Sequence, residues 1–238
     1  MRARRLPIAL VVMGVALGAA ASAQFGRGGI RAVLVSAADG RTISGLLVEA
    51  RQRPAPAVVL VPMLGRSKDD WRSVADRLAD AGISALAVDL PGREVPADPG
   101  ELAAWHTVVS GAIDYLAGRP EVRASALGVA GASLGANLAA VAAASDLRIR
   151  SLALISPSLD YRGVRIERPL EQYGERPAWL LASLGDPYAA RSVRELAEGA
   201  PGLRETLWAD TPAHGTVLLA RDPGLVRSLV AWFQRTLW

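Results

Sequence analysis

Short apolar runs alternating with stretches of helical spacing constrain this chain more than any other feature. AVVLVP (57–62), SALAVDL (84–90), ALGVAGA (126–132), SLALIS (151–156) and AWLLASL (178–184) read as strands, and ETLWA (205–209) as a last one. A strand with one face in water alternates apolar and polar residues, whereas an unbroken apolar run such as AVVLVP is buried on both faces. Helical spacing covers Asp69–Ala81, where Gly82 closes it, then Leu102–Leu116, Leu134–Ala144, Ser192–Glu198 and Leu225–Leu237. Ahead of the alternation, the β-rich runs Arg31–Ala37 and Thr42–Ala50 flank Ala38-Asp39-Gly40-Arg41, whose Asp-Gly pair is a hairpin signal. A hairpin followed by repeated strand–helix units predicts an α/β fold. Its sheet is mostly parallel, opens on an antiparallel hairpin and is covered by helices on both faces.

A chain of 238 residues, 51% hydrophobic, can bury a sizeable core and suits one domain. The first residues read as an address. Arg2, Arg4 and Arg5 precede the apolar, small-residue stretch Leu6–Ala20, and Ala21-Ser22-Ala23 offers a small-x-small cleavage pattern. The expectation is a signal peptide over 1–23 and a single domain over 24–238, with Gln24–Gly29 as a flexible lead. A retained membrane anchor is the alternative, on an apolar run near the lower limit for spanning. Cleavage would give an exported protein, periplasmic or secreted, with no stable membrane insertion. Loss of the three leader arginines takes the formal net charge from +4 to +1. The remaining arginines are scattered among acids and Lys68 is the one lysine, so nucleic acid is not an expected partner. There is no cysteine, which excludes disulfides, thiolate metal sites and a cysteine nucleophile.

In parallel sheets ligands collect beyond the carboxyl ends of the strands. Ser133 falls at such an end, where the strand finishing near Ala132 meets the helix starting near Leu134. Gly131-Ala132-Ser133-Leu134-Gly135 fits G-x-S-x-G, the nucleophile elbow, in which a Cβ at either glycine would strike neighbouring backbone. A serine hydroxyl needs a base, and the base needs a carboxylate to set its tautomer. Of the two histidines, His214 follows the last predicted strand, while His106 lies within a covering helix and reads as structural. Asp186 follows strand 178–184 directly, and the order Ser133, Asp186, His214 suits the elbow's Ser…acid…His order. Asp186 also reads as a helix N-cap ahead of Pro187. Asp160, one strand earlier, is the rival acid.

GASLGAN (131–137), LVPMLGRSKDDW (60–71), SLGDPYA (183–189) and AHGT (213–216) together resemble the α/β-hydrolase superfamily. The resemblance runs from Arg31 to the C-terminus, and its branch is that of small serine esterases and dienelactone-hydrolase-like proteins. It implies an oxyanion hole of two backbone N–H groups, one from Leu134 and one from the loop after the first core strand, Leu64 or next to it Met63. Pro62-Met63 stands where many relatives carry His-Gly. Dienelactone hydrolases proper use a cysteine nucleophile, which this chain lacks, so their particular activity is not carried over.

The expected activity is hydrolysis of a small carboxylic ester through an acyl-enzyme, with no metal or organic cofactor. Two alternatives stand beside it: a serine peptidase acting on short peptides, and a catalytically inactive binding protein of the same fold. Only a short segment separates strands 151–156 and 178–184, so no large lid is expected. Arg162, Arg165 and Arg168 in that segment read as solvated surface charge or as a receiver for an anionic substrate.

Overall fold

The structure, a computed structural model, describes residues 27–199 and 201–238. The leader read in residues 1–23 lies outside the described residues, as does the start of the 24–29 lead. Ten strands and eight α-helices follow in chain order among the described residues. The strands are β1 (Arg27–Ser36), β2 (Thr42–Ala50), β3 (Ala55–Val61), β4 (Ser84–Val88), β5 (Val122–Ala132), β6 (Ile149–Ile155), β7 (Asp160–Tyr161), β8 (Val164–Arg165), β9 (Ala178–Ser183) and β10 (Arg204–Ala209). The helices are α1 (Arg72–Asp80), α2 (Pro99–Ala104), α3 (His106–Ala117), α4 (Leu134–Ser145), α5 (Glu167–Tyr173), α6 (Pro187–Gly199), α7 (Thr216–Arg221) and α8 (Pro223–Leu237).

Eight strands form one sheet in the order β1-β2-β4-β3-β5-β6-β9-β10. β1 pairs antiparallel with β2, and β2 antiparallel with β4. From β4 to β10 every pairing is parallel. The unbroken apolar runs sit where burial on both faces requires them: every residue of β3, β4 and β9 is buried. One face carries Val108, Ile113, Leu138 and Val193 from α3, α4 and α6. The opposite face carries Val74, Leu78, Leu218, Leu229, Trp232 and Phe233 from α1, α7 and α8. All the parallel strands therefore end on the same edge, and the loops leaving that edge build the site.

The hairpin turn has a side-chain lock. Asp39 accepts from the Arg41 backbone N–H and guanidinium, and from the Thr107 hydroxyl on α3. The helix expected over 102–116 is two helices. Trp105 donates its N–H to Leu102 in a tight turn between α2 and α3, and its indole is buried against Gly92. The C-terminal helix likewise starts afresh at Pro223, with Asp222 accepting from the Gly224 N–H as a cap. The segment between β6 and β9 holds the β7–β8 hairpin and α5, and no larger insertion.

Candidate active site

Ser133 sits at the turn from β5 into α4 with φ 51° and ψ −122°. A positive φ is unusual for a residue with a Cβ and costs about 1–3 kcal/mol, so surrounding contacts must enforce it. They do so at both ends of the residue. The Ser133 N–H donates to the Ile155 carbonyl at 2.9 Å, and the Ser133 carbonyl accepts from the N–H groups of Ala136 and Asn137. The flanking glycines let the backbones close up. A Cβ at Gly131 would lie 2.2 Å from the Gly135 carbonyl oxygen, and one at Gly135 would lie 2.4 Å from that of Pro62. The start of α4 is thereby pressed onto the ends of β5 and β3. Ser133 is 8% exposed, and its hydroxyl makes no hydrogen bond among the described residues.

Asp186 follows β9 and His214 follows β10. Nδ1 of His214 lies 2.5 Å from Oδ2 of Asp186. A carboxylate only accepts, so Nδ1 carries a hydrogen, and in the neutral ring the lone pair is then on Nε2. The loop bearing His214 is tied down at several points. Thr211 accepts from the Ser183 hydroxyl at 2.6 Å, and Pro212 accepts from Arg221. The Gly215 N–H donates to the Ser156 hydroxyl at 3.0 Å. A Cβ at Gly215 would meet Met63 Sδ at 2.5 Å and Ala132 Cβ at 3.6 Å. The backbone after His214 is therefore wedged between the residue before Ser133 and the loop after β3.

That loop turns at Gly65, whose φ is 77°, and closes with the Arg66 N–H donating to the Met63 carbonyl. Met63 and Leu64 are half-buried. Neither the Leu64 nor the Leu134 N–H donates to another backbone group among the described residues. Lys68 fastens the loop to the end of β4, giving both its N–H and its ammonium to Asp89 at 2.8 and 2.7 Å.

The other residues singled out from the sequence lie elsewhere. Asp160 is not joined to His214. Its carboxylate accepts from the Arg165 guanidinium and the Gly163 N–H within the β7–β8 hairpin, and these bonds, Arg165 foremost, hold it below the usual carboxylate range. Arg165 is thus paired with an acid of its own hairpin. His106 opens α3, and its Nδ1 lies 2.7 Å from the Ala103 carbonyl. Asn137 is a residue the sequence reading missed. Fully buried one turn into α4, it donates to the carbonyls of Ser158 and Val164 and accepts from the Ser158 N–H. An asparagine among the alanines of a buried helix was the available signal.

A groove of about 680 Å³ runs between α1 and α8, and Asp70 and Leu219 are among its lining residues. None of Ser133, Asp186 and His214 lines it. Leu184 and Tyr188, on either side of Asp186 in the chain, are 50% and 54% exposed. Among the described residues no group of three or more His, Cys, Asp or Glu is placed to hold a metal ion, and no helix is long and apolar enough to cross a membrane.

The profile of the dienelactone hydrolase family matches residues 43–200. Among solved structures, a dienelactone hydrolase from Anabaena variabilis superposes with a TM-score of 0.74 at 21% identity, covering 88% of this chain and 99% of its own. An esterase from Pyrococcus furiosus gives 0.71 at 15% identity, covering 88% and 94%. A thermostable carboxylesterase cloned from a metagenomic library gives 0.69 at 18% identity, covering 90% and 91%. These likenesses establish the α/β-hydrolase fold. No functionally curated protein matches the sequence significantly.

Proposed function

The chain belongs to the dienelactone hydrolase family, and from that premise we propose that this hydrolase is a serine enzyme cleaving carboxylic esters through an acyl-enzyme. One observation carries the reading: the Asp186–His214 contact, on a loop whose Gly215 packs against the residue preceding Ser133. Nε2 of His214 takes the Ser133 proton as Oγ forms its bond to the acyl carbon. The carbonyl π electrons move to the oxygen, and the N–H groups of Leu134 and Leu64 receive that charge. Such donors are worth about 3–4 kcal/mol each. Collapse of the intermediate breaks the bond to the alcohol, which leaves with the proton from the imidazolium. Water then enters through the same steps, releasing the acid and restoring the serine. Asp186 stabilises the imidazolium and holds the ring with Nε2 toward Oγ.

The proposed oxyanion donors are backbone groups, so Met63 in place of a glycine does not by itself remove a donor. The elbow Gly131-Ala132-Ser133-Leu134-Gly135 supports Ser133 as the nucleophile, and there is no cysteine to serve in its place. The short segment between β6 and β9, with no larger insertion, and the exposed Leu184 and Tyr188 beside Asp186 favour small esters. The basic and apolar leader in 1–23 supports export, and sequencing the mature N-terminus would show Gln24 first if the leader is removed.

The deciding experiment is Ser133→Ala, assayed on p-nitrophenyl acetate and butyrate, with fluorophosphonate labelling of both proteins and location of the adduct by mass spectrometry. The expected result is an adduct on Ser133 and loss of turnover in the variant. Undiminished turnover, or an adduct elsewhere, overturns the assignment. Absence of any adduct on the native chain would instead support a binding protein.

A further inference from the structure

We propose that Asp70 is a positioning residue that clasps the oxyanion-hole loop to the histidine loop, with Thr216 and Arg66 as its two arms. The inference rests on the serine-hydrolase reading above. Asp70 lies in the 3-10 turn Lys68–Trp71. Its Oδ2 accepts from Nε of Arg66 at 2.6 Å and from the Thr216 hydroxyl at 2.8 Å, and its Oδ1 accepts from a terminal guanidinium nitrogen of Arg66 at 3.0 Å. Arg66 stands two residues after Leu64, and Thr216 two residues after His214. One carboxylate therefore ties points equally far along the chain from an oxyanion donor and from the base.

An Arg–Asp pair four residues apart on an exposed turn would by itself be ordinary surface chemistry. The third bond is not. Thr216 is 3% exposed and 146 positions away from Asp70. A buried threonine at a helix start can satisfy its hydroxyl locally, yet this one reaches across to another loop. Beside it the Met63 sulfur packs on Gly215, so the same two loops meet through an apolar contact and a charged one. The apolar contact resists compression, and the hydrogen bonds resist separation and sliding. The spacing between Leu64 N–H and the His214 ring is what both contacts set, and acyl transfer is sensitive to that spacing in the transition state more than in substrate binding.

The test compares Thr216→Val, Thr216→Ser and Asp70→Asn with the native enzyme, measuring kcat and KM on p-nitrophenyl butyrate and the rate of fluorophosphonate labelling. Thr216→Val is expected to lower kcat and the labelling rate together by about ten- to a hundredfold, with KM little changed. Thr216→Ser keeps the donor and is expected to restore most of the rate. Asp70→Asn keeps an acceptor for Thr216 but weakens the Arg66 arm, and should fall between. Arg191→Ala, which breaks an exposed pair with Glu195 on α6, serves as the control with native rates. If Thr216→Val does not fold at the assay temperature, Asp70→Asn and Arg66→Gln carry the comparison. Native labelling rates in Thr216→Val and Asp70→Asn, with Ser133→Ala unlabelled, overturn the clasp and leave the serine reading standing. A native chain that takes no label overturns that reading, and the clasp falls with it.

Discussion

The carboxylate of Asp186 is shared: Oδ2 lies 2.5 Å from Nδ1 of His214, while Oδ1 accepts from the Ala189 N–H at 3.2 Å as the cap of α6. Orienting an imidazole and capping a helix read as competing roles in the sequence, yet each needs one oxygen. The two roles should therefore separate by mutation. Asp186→Asn keeps an oxygen for the cap but can present an N–H to the ring and so favour the wrong tautomer. We expect kcat to fall by about four orders of magnitude with little change in Tm. Asp186→Ala should lose the same activity and about 1 kcal/mol of stability besides. Ester turnover and urea unfolding on both variants check this. Asp160→Asn should leave kcat at the native level, because that carboxylate is engaged with Arg165 and Gly163.

Local demands were legible in the sequence, and long-range polar pairings other than Asp186 with His214 were not. Gly131 and Gly135 announce a sharp turn because nothing larger fits, and the runs of β3, β4 and β9 announce a parallel sheet because both faces are dry. Asp186 and His214 could be brought to one edge by strand order alone. The split at Trp105 was hidden because its spacing continues that of the helix on either side, while the ring packs against Gly92. Thr216 and Asp70 carry no periodic signal at all. A single hydrogen bond between loops 146 positions apart leaves no trace in either neighbourhood.

The elbow glycines should behave differently from a glycine that merely sits at positive φ. At Gly131 a Cβ would meet backbone oxygen at 2.2 Å, whereas at Gly40, with φ 88°, nothing lies within 4 Å. Gly40→Ala is expected to cost only the left-handed penalty, about 1–2 kcal/mol. Gly131→Ala must displace α4 from β5 and should cost about 4 kcal/mol or more, or prevent folding. Comparing urea midpoints of the two variants decides it, and equal losses would contradict the elbow geometry.

Asp39 should make the hairpin sensitive to acid. The Arg41 guanidinium first, then the Arg41 and Thr107 hydrogen bonds, take its carboxyl from 3.8 down to about 2. Because the folded value lies below the unfolded one, the stabilisation is complete above the unfolded value and disappears as pH falls through about 2. The site is open to solvent, so the effect is at most about 1 kcal/mol. Asp39→Asn should lower Tm slightly at neutral pH, and the gap to the native protein should close between 3.8 and about 2. A gap that stays constant across that window would place the effect in the turn backbone instead.

Asn137 should be among the least replaceable polar residues outside the proposed triad. It is 0% exposed and satisfies three backbone groups of the 158–164 segment, at 2.9, 2.7 and 3.1 Å. Asn137→Leu fills similar volume but strands the carbonyls of Ser158 and Val164 and the Ser158 N–H, each costing about 1–3 kcal/mol when buried unpaired. A loss of about 3 kcal/mol or more is expected, with the Ser158 N–H losing protection in hydrogen exchange before the strands β5 and β6 do. Asn137→Asp keeps the acceptor for Ser158 but removes both donors and buries a charge, so it should be as damaging at neutral pH and recover partly in acid, where the protonated carboxyl can donate once. If the leucine variant is as stable as the native protein, the segment carrying Asp160 is held by its own hairpin and not from α4.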